Sequence, residues 1–103
     1  MKGIKITVIK TSTFKDLQTY AVSEIKPCHV LKEGQEFTTT YEKPNGFCDW
    51  AWNDIHPYVS AMLAGGNFAE GMYKGWMKDK NTVIACCTDG LRPVVFRIEK
   101  IEE

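Results

Sequence analysis

Four cysteines, two histidines and one Asp–Arg pair carry most of the chemistry available to this chain. Cys28 and Cys48 flank turn-rich sequence, and Cys87, in the adjacent pair Cys86–Cys87, stands beside a turn signal. A fold that brings those turns to one end of a sheet would gather Cys28, Cys48 and Cys87. Adding His29 or His56 completes a Cys₃His set, which suits Zn²⁺ or iron, an iron–sulfur centre included. The spacing argues the other way. Common zinc sites take ligands in close pairs, and no Cys-x-x-Cys occurs here. A second expectation is thiol redox or nucleophilic chemistry, with a reachable thiolate and a resolving partner. A third is packing, because reduced cysteine behaves as a small hydrophobe and is among the most buried residue types.

Cys86 and Cys87 can be told apart. On a regular strand successive side chains point to opposite faces, so the two sulfurs do not serve one metal. One is expected in the core and the other toward the site. Cys87, nearer the turn, is the site candidate.

The other candidates have competing readings. His56 precedes Pro57 near a helix start and would act as a general base only with a nucleophile in reach; otherwise it is a half-exposed histidine satisfied locally. His29 is a second ligand beside Cys28 or a surface residue. Asp89 is ordinary turn chemistry, whereas Arg92 is not required by a turn and suits an anionic ligand. Trp50, Trp52 and Phe68, with Phe47, Tyr73 and Trp76, either wall a small-molecule pocket or form core. Gly65-Gly66 lacks phosphate-loop spacing and follows a helix instead of opening one, so a nucleotide site is discarded.

These residues sit in a chain of 103 residues, 44% of them apolar, which is enough for one modest core and one domain. Thirteen basic residues balance thirteen acidic ones, and the two signs are interspersed. That pattern gives no electrostatic support for a nucleic-acid or membrane-surface partner. The opening MKGIKITVIK lacks an unbroken apolar core, and no apolar run is long enough to span a bilayer. The expectation is a cytoplasmic protein with reduced or metal-bound thiols, and self-association is the partner left open.

The elements follow from periodicity. Ile4, Ile6 and Val8 alternate with polar residues, and Ile9 extends the apolar stretch, which makes a half-buried strand. Ser12 or Thr13 is expected to cap a short helix over 14–20, with Phe14, Leu17 and Ala21 on one side. Residues 36–41 form a second strand, with Phe37, Thr39 and Tyr41 on one face. Ala51, Ile55, Tyr58 and Met62 recur at helical spacing. Pro57 places the start of that helix near Asn53 or Asp54, with Trp50 and Trp52 in an irregular lead-in. Gly65-Gly66-Asn67 stops it. Residues 69–81 read as an irregular connection pinned by Met72, Trp76 and Met77. Strands over 82–87 and 93–101 flank Asp89-Gly90, which predicts a two-residue type I′ hairpin, with Val94, Phe96 and Ile98 facing inward. The sum is a single-domain α+β fold over 1–103, with a mainly antiparallel sheet, one principal helix and a C-terminal hairpin.

One longer pattern spans nearly the whole chain: Cys28, then Lys32-Glu33-Gly34-Gln35-Glu36-Phe37, Pro44-x-Gly46-Phe47-Cys48-x-x-Ala51, Gly65-Gly66-Asn67-Phe68, and Cys87-Thr88-Asp89-Gly90-x-x-Pro93-Val94-Val95-Phe96. It resembles a widespread family of small uncharacterised prokaryotic proteins, prominent in anaerobes and named only as an uncharacterised repeat family. The closing motif is the most specific part; the family typically has Cys-Pro-Asp where this chain has Cys87-Thr88-Asp89. The resemblance implies that Cys28, Cys48 and Cys87 are the family's cysteines and Cys86 is peripheral. It implies no reaction. The leading expectation is therefore a small binding module with a cysteine-lined site, followed by a thiol enzyme and then by a structural or oligomerisation domain.

Overall fold

The alternation at the start of the chain builds β1 (Lys2–Thr11), the first strand of a computed structural model that describes residues 2–102. β2 (Glu36–Thr39), β3 (Thr82–Cys86) and β4 (Val94–Glu102) complete a four-stranded sheet in the order β2-β1-β4-β3. Every pairing is antiparallel. The single long helix, α1 (Asp49–Leu63), packs on one face against β1, β3 and β4.

Register explains which face is covered. Phe37, Ile6, Ile98 and Val83 stand opposite one another across all four strands, and Val8, Phe96 and Ala85 form the next row. Such cross-strand rows are the unit that stabilises a sheet. Ala51, Ile55, Val59 and Met62 bury the stripe of α1 against those rows. Val94, Phe96 and Ile98 are buried as the alternation requires. Full burial of each large side chain contributes about 1.5–3 kcal/mol. The opposite face carries Lys5, Thr7, Arg97, Glu99 and Thr82. The alternation of β1 breaks at Val8-Ile9, and there the pairing with β4 shifts register between Val8 and Lys10. The extra residue is a β-bulge, and Ile9 is left exposed.

Several elements differ from the expectations. The helix begins at Asp49, a full turn earlier than Asn53, with Cys48 in extended backbone as its N-cap and the Trp52 N–H bonded to the Cys48 carbonyl at 2.9 Å. Trp50 and Trp52 are thus in its first turn. Pro57 lies inside the helix and is exposed. Its missing N–H leaves the Asn53 carbonyl on an exposed face, where water meets it. The short helix is a 3₁₀ segment, Lys15–Tyr20, preceded by Phe14 with no side-chain cap, and Phe14 is exposed. β2 stops at Thr39, leaving Tyr41 exposed. In the 69–81 connection Met72 is exposed, while Tyr73 and Met77 pack on the core and Trp76 lies 5.7 Å from Tyr73, ring centre to ring centre.

The C-terminal hairpin is present, but its loop is wider than a two-residue turn. Gly90 does not have positive φ, and among the described residues no non-glycine residue does. A type I′ turn is therefore excluded. By contrast, α1 ends as glycine dictates. Gly65 has φ of 92°, its N–H bonds the Met62 carbonyl at 3.1 Å, and the Gly66 N–H bonds the Ala61 carbonyl at 2.8 Å. This is the Schellman arrangement.

The two glycines should consequently respond in opposite ways to valine. A Cβ on Gly90 meets nothing within 4 Å, so Gly90→Val should leave the urea unfolding free energy within about 0.5 kcal/mol of the parent. Gly65→Val should lose on the order of 1–3 kcal/mol from forcing a β-branched residue into left-handed backbone. Equal loss at both sites would contradict the loop geometry.

Candidate functional site

At the end of the sheet where β3 stops and β4 begins, the chain encloses an open cavity of about 390 Å³. Cys28, Cys48 and Cys87 all line it. They arrive from three directions. Cys48 is the N-cap of α1. Cys87 follows β3 directly, and its N–H bonds the Val94 carbonyl at 3.0 Å, which continues the ladder by one rung. Cys28 lies on an irregular segment anchored by the buried Ile25 and Leu31 on either side of it.

That irregular segment is held by side chains of the 3₁₀ turn. Gln18 accepts the Ile25 N–H at 2.9 Å and donates to the Ser23 carbonyl at 2.7 Å, and the Lys15 ammonium bonds the Ile25 carbonyl. The start of the turn is itself tied to the β3–β4 loop, because the Phe14 N–H bonds the Leu91 carbonyl at 2.8 Å. One network therefore fixes Cys28 relative to the loop that carries Cys87.

Two of the sulfurs accept backbone N–H groups: Cys28 Sγ from Val30 at 3.4 Å and Cys87 Sγ from Val94 at 3.3 Å. All three site cysteines are half-buried and unbridged, and each packs against the edge of the core. Cys86, expected in the core, is exposed instead. It pairs with Val95 on the face of the sheet opposite α1, so its side chain points away from core and cavity alike. Cys87 takes both roles foreseen for the pair, touching core and lining the cavity.

The loop after Cys87 is organised by two carboxylates. Asp89 Oδ1 accepts the N–H groups of Leu91 at 2.9 Å and Arg92 at 3.1 Å, and its Oδ2 accepts Arg92 Nε at 3.2 Å. Burial pushes the Asp89 carboxyl up, but the Leu91 and Arg92 N–H groups and the Arg92 guanidinium outweigh it, and the carboxyl lies below its ordinary value of 3.8. From α1, Asp54 accepts the Thr88 N–H at 2.8 Å and the Thr88 hydroxyl at 3.1 Å. Asp54 and Thr88 both line the cavity. The sequence marks Asp54 only as a possible helix start beside His56. Its one available signal is its place one turn after Trp50 on the same helix.

The remaining candidates separate cleanly. His29, Asp89 and Arg92 line the cavity with Val30 and Trp50, and Trp50 is 81% exposed at its rim. His56 does not line it. That ring lies 5.2 Å from the Trp52 ring and 3.4 Å from the Ser60 hydroxyl. Trp52 also lies outside, its ring 6.1 Å from that of Phe47. Phe68 is 1% exposed and belongs to the core, as does Phe47. The expected aromatic wall thus reduces to Trp50.

Metal ligation has a geometric test. Among the described residues, no group of three or more His, Cys, Asp or Glu side chains is placed to hold a metal ion. The three thiols share a cavity without forming a coordination set, so no step is derived through Zn or Fe. Among the described residues, no helix is long and apolar enough to cross a membrane. The chain matches no protein-family model, no curated protein and no solved structure.

Asp89 links loop order to pH. A carboxyl with a lowered folded-state value adds stability above its unfolded value, and that increment is lost as pH falls through the folded value. Asp89→Asn keeps an oxygen acceptor but no charge. Its stability should therefore fall less than the parent's between about pH 5 and pH 2. At neutral pH, Asp89→Ala should cost about 1 kcal/mol, since the group is partly exposed and its ion pair is screened. Thermal melts across that pH range check both, and parallel pH profiles for parent and Asp89→Asn would contradict the assignment.

Proposed function

We propose that the protein is a small binding module whose ligand sits in the cysteine-lined cavity, with Cys28, Cys48 and Cys87 as the groups that meet it. The observation that carries the reading is the meeting of three thiols from three sequence-distant segments in one open cavity. Packing alone does not call for that. Burying cysteine as a hydrophobe favours sites under the helix, whereas these three border open space. The resemblance to the family of small prokaryotic proteins supports the same three positions on a separate ground.

A specific observation favours thiol chemistry as the second reading. The three thiols are unbridged and line open space, and those of Cys28 and Cys87 are oriented by backbone N–H groups, yet among the described residues they do not form a metal-binding set. Reversible bond formation at sulfur suits such an arrangement, and a reducing compartment such as the cytoplasm suits the free thiols. In this reading Cys87 is the first thiol to react, because it opens the ordered loop that carries Arg92, and His29 is a candidate proton acceptor in the lining.

Timed alkylation of the native protein with iodoacetamide, read by peptide mass spectrometry, tests the site. Exposed Cys86 provides an internal reference. At least one of Cys28, Cys48 and Cys87 should react within about tenfold of the Cys86 rate. Modification of all three only on unfolding would show them to be packing. Protection of all three by equimolar Zn²⁺ would instead assign a metal site and displace the thiol reading.

A further inference from the structure

The cavity contains more than thiols, and its charged groups differ in how far they are already used. Asp89 has both oxygens engaged by the loop and by Arg92. Arg92 spends only its Nε on Asp89; among the described residues its two terminal amino groups have no protein acceptor. Among the described residues Asp54 accepts from Thr88 alone, and a carboxylate offers about four lone-pair sites. One open cation, which also borders the neighbouring groove over residues 20–26, and one half-open anion therefore line the same space as the thiols.

The charge balance selects the class of ligand. One guanidinium stands against two carboxylates around the cavity. A dianion such as phosphate meets net repulsion there, and a dication finds no coordinating set of side chains among the described residues. A zwitterion adds no net charge and matches both open groups, its carboxylate on the terminal amino groups of Arg92 and its ammonium on Asp54. Trp50 at the rim offers a flat apolar surface for the ligand's carbon chain. The volume of about 390 Å³ is at the lower end of the range for small-molecule sites.

We infer that the cavity takes a small α-amino acid bearing a disulfide, and that Cys87 exchanges with it. This rests on the reading of the cavity as a thiol site. Cys87 Sγ attacks one sulfur of the ligand. A bond forms between those two sulfurs and the ligand's own S–S bond breaks. The departing half leaves as a thiolate and takes up the proton that the Cys87 thiol gave. Cys87 is oxidised to the mixed disulfide and the departing sulfur is reduced to a thiol, so the ligand itself is the oxidant. Cys28 or Cys48 can then displace the retained half, forming a protein disulfide and releasing a second thiol.

The probes are cystine, which is zwitterionic at each end, and hydroxyethyl disulfide, which is neutral. Fully reduced protein is mixed with each, quenched at intervals with acid, and mapped by peptide mass spectrometry. The readout is the ratio of the two rates at Cys87, measured folded and again in urea, so that intrinsic reactivity cancels. The folded protein should prefer cystine by about tenfold over its unfolded form, and Arg92→Gln and Asp54→Asn should each remove most of that preference. Each variant is scored only once far-UV circular dichroism and its urea midpoint show it folded in the assay buffer, since an unfolded variant would lose the preference whatever the ligand. A ratio that is the same folded and unfolded, with Cys87 still reacting in the folded protein, overturns the amino-acid ligand and leaves the thiol site standing. A preference that survives Arg92→Gln overturns it likewise. No reaction of any cavity thiol with either disulfide overturns both readings.

Discussion

The antiparallel pairing of β1 with β4 is the constraint on which the rest of this structure depends. These are the two central strands, and each carries an edge strand on its other side. Their register sets Ile6 opposite Ile98 and Val8 opposite Phe96, which defines the single face that α1 covers. A slip of one residue would turn every one of those side chains to water. The same register sets where β4 begins, at Val94, and so where the loop from β3 must return. Cys87 is held to Val94 by its backbone N–H and again through its sulfur. The site is an end condition of that central pair.

The loop from Cys87 to Pro93 is built from polar contacts, and this suits a functional loop on a rigid frame. Asp89 folds it locally, Asp54 ties it to the helix, and the backbone of Phe14 and Ser12 ties it to the chain leaving β1. Each net contribution is small, on the order of 1 kcal/mol. Together they hold the first turn of α1, the Cys28 segment and the hairpin loop against one another. Hydrophobic packing positions the helix on the sheet, and hydrogen bonds position the thiols at its end.

The chemistry of the cavity follows from what those bonds consume. The loop brings three donors to Asp89 and two to Asp54, and it leaves most of Arg92 open. Three reduced sulfurs stand in the same space without a coordinating arrangement.

Much of the architecture was legible in the chain because it rests on local period. Alternation in β1 and β4, the helical stripe Ala51–Ile55–Met62 and the Gly65-Gly66 stop each depend on residues within a few positions of one another. Turn placement was enough to bring Cys28, Cys48 and Cys87 to one end, and strand alternation separated Cys87 from Cys86. What tertiary structure decided were matters of competition between neighbours. Pro57 argued locally for a later helix start, but burial of Ala51 and the extended cap at Cys48 carry the helix back to Asp49. Asp89-Gly90 looked like a tight turn, yet Asp89 bonds forward to Leu91 and Arg92 and opens the loop. Of the aromatic candidates only Trp50 reaches the cavity, because helix phase places Trp52 beside His56 and core packing takes Phe47 and Phe68. Asp54 joined the site for a reason no local pattern contains: its partner, Thr88, lies 34 residues away and meets it only when the helix lies on the sheet.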